Sequence, residues 1–331
     1  MKKRWLLIGI LLLFACGCEK KEEKVLNVLN WSSYIPEEVI HSFEEETGVK
    51  VHYGTYSSNE ELLAKISSSN PGTYDVIFPS DYMVELMKEK DLIQKIDFKR
   101  LHHLDHFNSS FLNQEYDQQN LYSYPFLSTI VVLVKNQEKI KEEISSYNDL
   151  LNPKFKNNIV LLDDQRIVIG LSLLASHLDM NSVNPDDLKV AKDWLLRLKP
   201  NIKAYDSDSP KSFFLTDEVD LGVMWNAEAE LAKKVNPNLE IIYPIEGHAI
   251  STDNYCLVKN AKHLDEAYLF LDYLMQYEVA QDIVKEYPYI SPLKIVQESS
   301  VNEQDIFTKG YYVKNIGPSI KNYDKIWADI K

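Results

Sequence analysis

The chain has 331 residues, is 45% hydrophobic and 26% charged, and carries a net charge of −14. That apolar content can bury a core in two domains or one large one, while a surface this acidic disfavours nucleic acid and favours cations. Only 10 glycines stand against 20 tyrosines and 5 tryptophans, and polar-tipped aromatics in that number suit a binding surface.

Residues 1–15 read as a leader rather than as fold. Lys2, Lys3 and Arg4 form a basic start, and Trp5 to Phe14 an apolar stretch too short to span a bilayer as a stable helix. Leu13-Phe14-Ala15-Cys16 resembles a bacterial lipobox, with Ala15-Cys16-Gly17-Cys18 as the alternative. A lipidated Cys16, or Cys18, would anchor the protein to the outer face of the cytoplasmic membrane. A plain secretory leader with an unmodified cysteine is the other reading. Residues 16–24 then form a charged tether with little to bury. The one cysteine beyond it, Cys256, sits in an apolar run and makes no internal disulfide, so the fold relies on its core.

Val25 to Leu29 reads as a strand. Asn30-Trp31-Ser32-Ser33-Tyr34 follows, then Pro36-Glu37-Glu38-Val39-Ile40 as a first helical turn, with proline where its missing N–H costs nothing. That helix carries Val39, Ile40 and Phe43 on one face and stops at Gly48. Val49 to Tyr53 is a second strand. Asn59 reads as the N-cap of a helix bearing Leu62, Leu63 and Ile66. Tyr74 to Phe78 is a strand that ends at Pro79-Ser80-Asp81-Tyr82, before a helix with Val84, Leu86 and Met87. Leu92 to Asn120 is irregular. Its His102, His103, Asp105 and His106 lack a second carboxylate or a cysteine nearby, so they read as solvated loop residues rather than a metal site.

Ile130 to Lys135 is a buried strand, Tyr147 to Leu151 a short helix, and Ile159 to Leu162 a strand ending in Asp163-Asp164. Helices follow over Gln165 to His177 and Pro185 to Leu198. Val219 to Trp225 is a strand, and the helix after it includes Glu228. Glu240 to Tyr243 and Asn254 to Lys259 are strands, with Asp253 just before the second. His263 to Glu286 is a helical pair stopped by Tyr287-Pro288-Tyr289, and Tyr323 to Ile330 a last helix. This alternation predicts an α/β fold with largely parallel sheets. There is no internal repeat and no low-complexity tract.

The sequence contains no phosphate-cradling glycine loop, no nucleophile elbow and no His-Glu-x-x-His motif. What recurs is a gathering of aromatic, hydroxyl and carboxylate residues at strand ends: Trp31, Ser32, Tyr34, Ser80, Tyr82, Asp164, Trp225 and Asp253. Indole and phenol faces attract cations and stack on methylene chains. Carboxylates take charge-assisted hydrogen bonds from ammonium groups. An aliphatic diamine needs both, since burying its charges without acids is prohibitive. For Asp164 a helix N-cap is an equally good reading.

Those stretches carry a resemblance. Leu29 to Pro36, Phe43 to Val51, Tyr74 to Tyr82, Leu161 to Asp164 and Asp220 to Asn226 resemble, in order and spacing, the bacterial spermidine/putrescine-binding proteins, extracytoplasmic receptors of polyamine ABC importers. The resemblance covers about Leu26 to Ile330. It implies a two-lobe periplasmic-binding-protein (type II) fold with the ligand in the interlobe cleft. Lobe one would take residues 25–127 and 253–296, and lobe two residues 128–252 and 297–331, with crossovers near Leu127 and Thr252 and a final return near Val296. Carried over by motif, Trp31, Tyr34, Tyr82, Trp225 and Tyr287 supply aromatic walls, Ser32 and Ser80 polar contacts, and Asp164 and Asp253 hold ammonium groups.

The chain departs from that pattern at three places. Ile167 stands where many relatives have an acid, Ser251 where they often have an aromatic, and Val313, near the C-terminus, where the spermidine binders have a polar glutamine. Glu228, three residues beyond Trp225, is a substitute carboxylate. The expectation is a lipid-anchored solute-binding protein that captures a polyamine and docks on a permease, as a monomer, without catalysis or cofactor. The alternatives are the same fold around another cationic amine, an oligosaccharide or a ferric ion, a signalling receptor, or an exported enzyme.

Overall fold

The computed structural model describes residues 24–294 and 303–331, the side chains of 303–305 excepted. Cys16, Cys18, the leader, most of the tether and the return near Val296 lie outside the described residues. The elements run β1 (Val25–Trp31), α1 (Glu37–Thr47), β2 (Lys50–Tyr56), α2 (Asn59–Ser68), β3 (Val76–Ile77), α3 (Asp81–Glu89), β4 (Ile93–Gln94) and β5 (Ser123–Asn136). Then come β6 (Ile159–Leu161), α4 (Gln165–Leu174), α5 (Pro185–Leu198), β7 (Ile202–Tyr205), α6 (Lys211–Leu215), β8 (Leu221–Trp225), α7 (Asn226–Val235) and β9 (Leu239–Ile242). The chain closes with β10 (His248–Val258), α8 (Leu264–Leu274), α9 (Tyr277–Glu286), α10 (Glu303–Thr308), β11 (Gly310–Tyr312) and α11 (Ile320–Ile330).

The helix ends follow their capping chemistry. Pro36 precedes α1, its carbonyl accepts the first helical N–H groups, and Gly48 ends the helix in the left-handed region at φ 69°. Asn59 is not the cap of α2. Ser58 is, accepting from the Glu61 N–H at 3.1 Å, so the helix begins one residue earlier than expected. Asp164 caps α4, and that helix is buried on every side from Arg166 to Leu174, an interior helix rather than an amphipathic one.

Two long strands carry the architecture. The hydrogen-bonded order is β2-β1-β3-β10-β5-β8-β6-β7, with β4 and β11 also on β10 and β9 on β5. The first part of β5 pairs with β10, and its end pairs with β8 and β9. The end of β10 pairs with β3 and β4, and its start with β11. Leu127 and Asp253 face each other in the middle of the β5–β10 pairing, and a register shift falls between Asp253 and Asn254.

The pairing is mixed, not largely parallel. Strands linked by crossover helices, β1 with β2 and β3, and β6 with β7 and β8, are parallel. β5 and β10 run antiparallel to each other; β10 joins β3 and β4 of the first half and β5 joins β8 and β9 of the second in the antiparallel sense, while β11 joins β10 in parallel. Both strands are also longer than expected, so Asp253 lies inside a strand and not before one.

Apolar side chains separate by strand parity. Along β5, Val131 and Leu133 enter one core with Leu171, Trp194 and Tyr323, while Ile130, Val132 and Val134 enter another with Phe214 and Met224. In the other half, Leu26, Val28, Phe43 and Phe270 share one core, and Leu29, Leu62, Met87 and Cys256 a second. Each half therefore has its own buried layers on both sheet faces, with β5 and β10 running between the halves.

Candidate functional site

The cleft between the halves is lined by the ends of β1, β6 and β8, by the middles of β5 and β10 and by the starts of α2, α3, α4 and α7. Strand ends carry the backbone to this rim, and the next helix turns it away, which leaves the junction side chains facing the gap. Trp31, Ser32, Tyr34, Ser80, Tyr82, Asp164, Trp225, Glu228 and Asp253 all line it.

Tyr287 does not. It is half-buried and packs on the core beneath β1, while Tyr289 lines the cleft. The Tyr289 N–H donates to the Tyr287 carbonyl at 2.7 Å, a tight turn about Pro288 that sends the two phenols different ways. Of the Tyr287-Pro288-Tyr289 stretch, the second tyrosine and not the first meets the cleft.

Asp253 is the centre of the site. It is 2% exposed, accepts from the Tyr34 hydroxyl at 2.7 Å and from Ser80 Oγ at 2.6 Å, and forms no ion pair among the described residues. Burial pushes its carboxyl up to about 6, and the two hydroxyl donors hold it from rising further. Ser80 is fixed in turn by Asn59, whose amide donates to Ser80 Oγ at 3.1 Å. The Trp31 and Tyr56 donors are both spent on the Phe78 carbonyl, at 3.0 and 2.6 Å. The Trp31 and Tyr56 rings lie 4.6 Å apart, as do those of Tyr34 and Tyr289. Asp253 thus sits beside an aromatic wall whose polar tips are already committed.

Asp164 is the N-cap of α4 and lines the cleft. Its Oδ1 accepts from the Arg166 and Ile167 N–H groups at 2.8 and 3.0 Å, while Oδ2 has no partner among the described residues. Burial raises its carboxyl, and the two N–H groups oppose that. Glu228 is 6% exposed, and both its oxygens are taken by Lys211 Nζ, at 2.9 and 2.7 Å.

Sequence reasoning missed several lining residues. Arg166 is buried; it donates to the Lys314 carbonyl at 2.8 Å and to Asn181 at 3.2 Å, and lies 5.8 Å from the Tyr82 ring centre. Glu60 accepts from the Tyr82 hydroxyl at 3.3 Å and looks, in sequence, like any acid in a first helical turn. Gln165 Oε1 and Ser207 Oγ are buried without a partner among the described residues, and both residues line the cleft. Such unspent polar groups are costly unless something else meets them. No sequence signal marks them. Ile167, Ser251 and Val313 line the cleft too. The histidine stretch faces away from it: His102 and His103 approach Asp272, and His106 Nδ1 lies 2.9 Å from the Met275 carbonyl.

The family described as bacterial extracellular solute-binding protein matches residues 38–308. The chain is 30% identical over 344 residues to the spermidine/putrescine-binding periplasmic protein of Salmonella typhimurium, covering 99% of each. It superposes on the spermidine/putrescine ABC transporter substrate-binding protein of Streptococcus pneumoniae with a TM-score of 0.81 at 28% identity, covering 93% of this chain and 98% of that one. A Treponema pallidum lipoprotein shares the fold with a TM-score of 0.87 at 22% identity, covering 93% and 99%.

Proposed function

The chain belongs to the bacterial extracellular solute-binding proteins, and we propose that it captures a polyamine or close cationic amine in the interlobe cleft and delivers it to an ABC importer permease. One observation carries the amine: Asp253 is a buried carboxylate with no cation paired to it among the described residues, set against the aromatic faces of Trp31, Tyr34 and Tyr289. A buried charge of that kind is stable only when paired. An ammonium on an alkyl chain supplies the missing charge, and its methylenes lie on the rings. Asp164 Oδ2 takes the other ammonium, with Tyr82 and Trp225 as walls. Ser32 and Ser80 are polar contacts, and Tyr289 replaces Tyr287 in the set.

Residues 25–127 and 253–296 form one lobe in this reading, and 128–252 and 297–331 the other. β5 and β10 act as the hinge, because they pair with each other across the middle while β10 runs on to β3 and β4 of the first half and β5 to β8 and β9 of the second. A ligand held by Asp253 and Asp164 touches both lobes only when they close, so it favours the closed form by its differential affinity. The protein works as a monomer, is tethered by a lipid on Cys16 or Cys18, and catalyses nothing. Among the described residues no helix is long and apolar enough to cross a membrane.

Ferric ion is disfavoured because the phenols around the cleft are already spent as donors, Tyr34 on Asp253, Tyr56 on the Phe78 carbonyl and Tyr82 on Glu60, rather than grouped as a tyrosinate cluster. The test is calorimetry on mature protein, unfolded and refolded to strip any carried-over ligand, with putrescine, spermidine, spermine and a neutral sugar. Binding of one amine that is lost in Asp253→Asn supports the reading. Heat with the sugar alone, or with none, overturns it. Mass spectrometry of the membrane-extracted protein decides the anchor and the cysteine that carries it.

A further inference from the structure

Glu228 lines the same cleft as Asp253 and Trp225, yet its charge is not free. Lys211, the first residue of α6, reaches it with Nζ at 2.9 Å from Oε1 and 2.7 Å from Oε2. The glutamate side chain is 7% exposed and the lysine 28%. Lys211 ends the turn that carries Asp206 and Asp208, whose charges add to burial in raising the Glu228 carboxyl, while Lys211 opposes them. The partner held by Glu228 is therefore a primary ammonium on an alkyl chain, the same group that ends an aliphatic polyamine, supplied by the protein itself.

We infer that Lys211 occupies an ammonium subsite at Glu228, and so limits the cleft to ligands with two ammonium groups in preference to three. This rests on the proposed amine-binding function and sharpens it. A tethered group competes at an effective concentration in the millimolar range, far above that of a scarce free amine. Displacing it also breaks a buried pair whose partner would be left uncompensated until the ligand arrived. Ile167, apolar at the start of α4, adds no acceptor on the opposite wall. The other carboxylates of the lining, Glu60, Asp163 and Asp208, are exposed, so Asp253 and Asp164 remain for two ammonium groups and a third, once stripped of water, has no enclosed carboxylate to receive it.

The experiment compares putrescine and spermidine affinities by calorimetry in wild type, Lys211→Met, Lys211→Gln and the Lys211→Met/Glu228→Gln double variant, each checked for folding by thermal melting. Releasing Glu228 is expected to raise the spermidine-to-putrescine affinity ratio by about tenfold or more, the range of one hydrogen bond to a charged group. The double variant is expected to return the ratio to the wild-type value. Lys211→Gln, which keeps a donor near Glu228 but no charge, should raise the ratio in the same direction and serves if the methionine variant melts early. A wild type that binds amines while the ratio stays fixed in both single variants overturns this inference alone. A wild type that binds no amine overturns the proposed function and the inference together.

Discussion

Tyr34 donates its hydroxyl to Asp253 Oδ2 at 2.7 Å, although 219 positions separate them in sequence. The bond joins the turn after β1 to the strand that runs between the lobes. It favours the ionised carboxylate, against the burial that favours the protonated one. Tyr34→Phe removes that support. Asp253 should then hold its proton to higher pH, and amine affinity near neutrality should fall roughly three- to tenfold. Titration calorimetry from pH 5 to 8 checks this; a fall-off at the wild-type pH would refute it.

In the unaltered protein the sign of the pH effect follows from the Asp253 carboxyl at about 6. Only the ionised form pairs with an ammonium, so affinity should weaken as pH drops through that value. At pH 5 it should be roughly tenfold weaker than at neutrality, and level above pH 7. The ligand-free protein should behave oppositely. A carboxyl raised on folding stabilises the native state most below its unfolded value, and that contribution is lost as pH rises through about 6. Asp253→Asn should flatten both trends, the first read by calorimetry and the second by denaturant unfolding.

Asp164 separates its two roles by substitution. Asn at this position still caps α4, so Asp164→Asn should leave stability within about 0.5 kcal/mol while weakening amine binding. Asp164→Ala removes the cap as well and should cost about 1 kcal/mol of stability. If both variants kept wild-type affinity, Asp164 would be a structural cap and nothing more. Urea unfolding and calorimetry on the same preparations give the two readings.

Gly222 holds the middle of β8 for a packing reason. A Cβ there would lie 2.7 Å from Val160 Cγ1 and 2.9 Å from Phe214 Cε2. Both neighbours are buried, so they can yield only by disturbing the core. Gly222→Ala should therefore destabilise the protein by about 1–3 kcal/mol. A melting temperature equal to wild type would show that Phe214 relaxes freely.

Much of this molecule is written locally. Pro36 with two glutamates behind it starts α1, Gly48 ends it, and the strand-end clusters Trp31 to Tyr34, Ser80 to Tyr82 and Trp225 reach the cleft, because each depends on short-range capping, periodicity and strand-to-helix turns. The family is legible for the same reason: its motifs are contiguous stretches. What the sequence could not decide depends on contacts between distant segments. The lengths of β5 and β10 come from pairing with partners in both halves, which no local propensity encodes. Whether Tyr287 or Tyr289 meets the cleft turns on one backbone hydrogen bond at Pro288. Glu228 and Lys211 are 17 residues apart and carry no mark of pairing until β7, α6 and β8 bring them together. Local chemistry chose the residue types at the cleft, and tertiary packing decided which of their charges were left for a ligand.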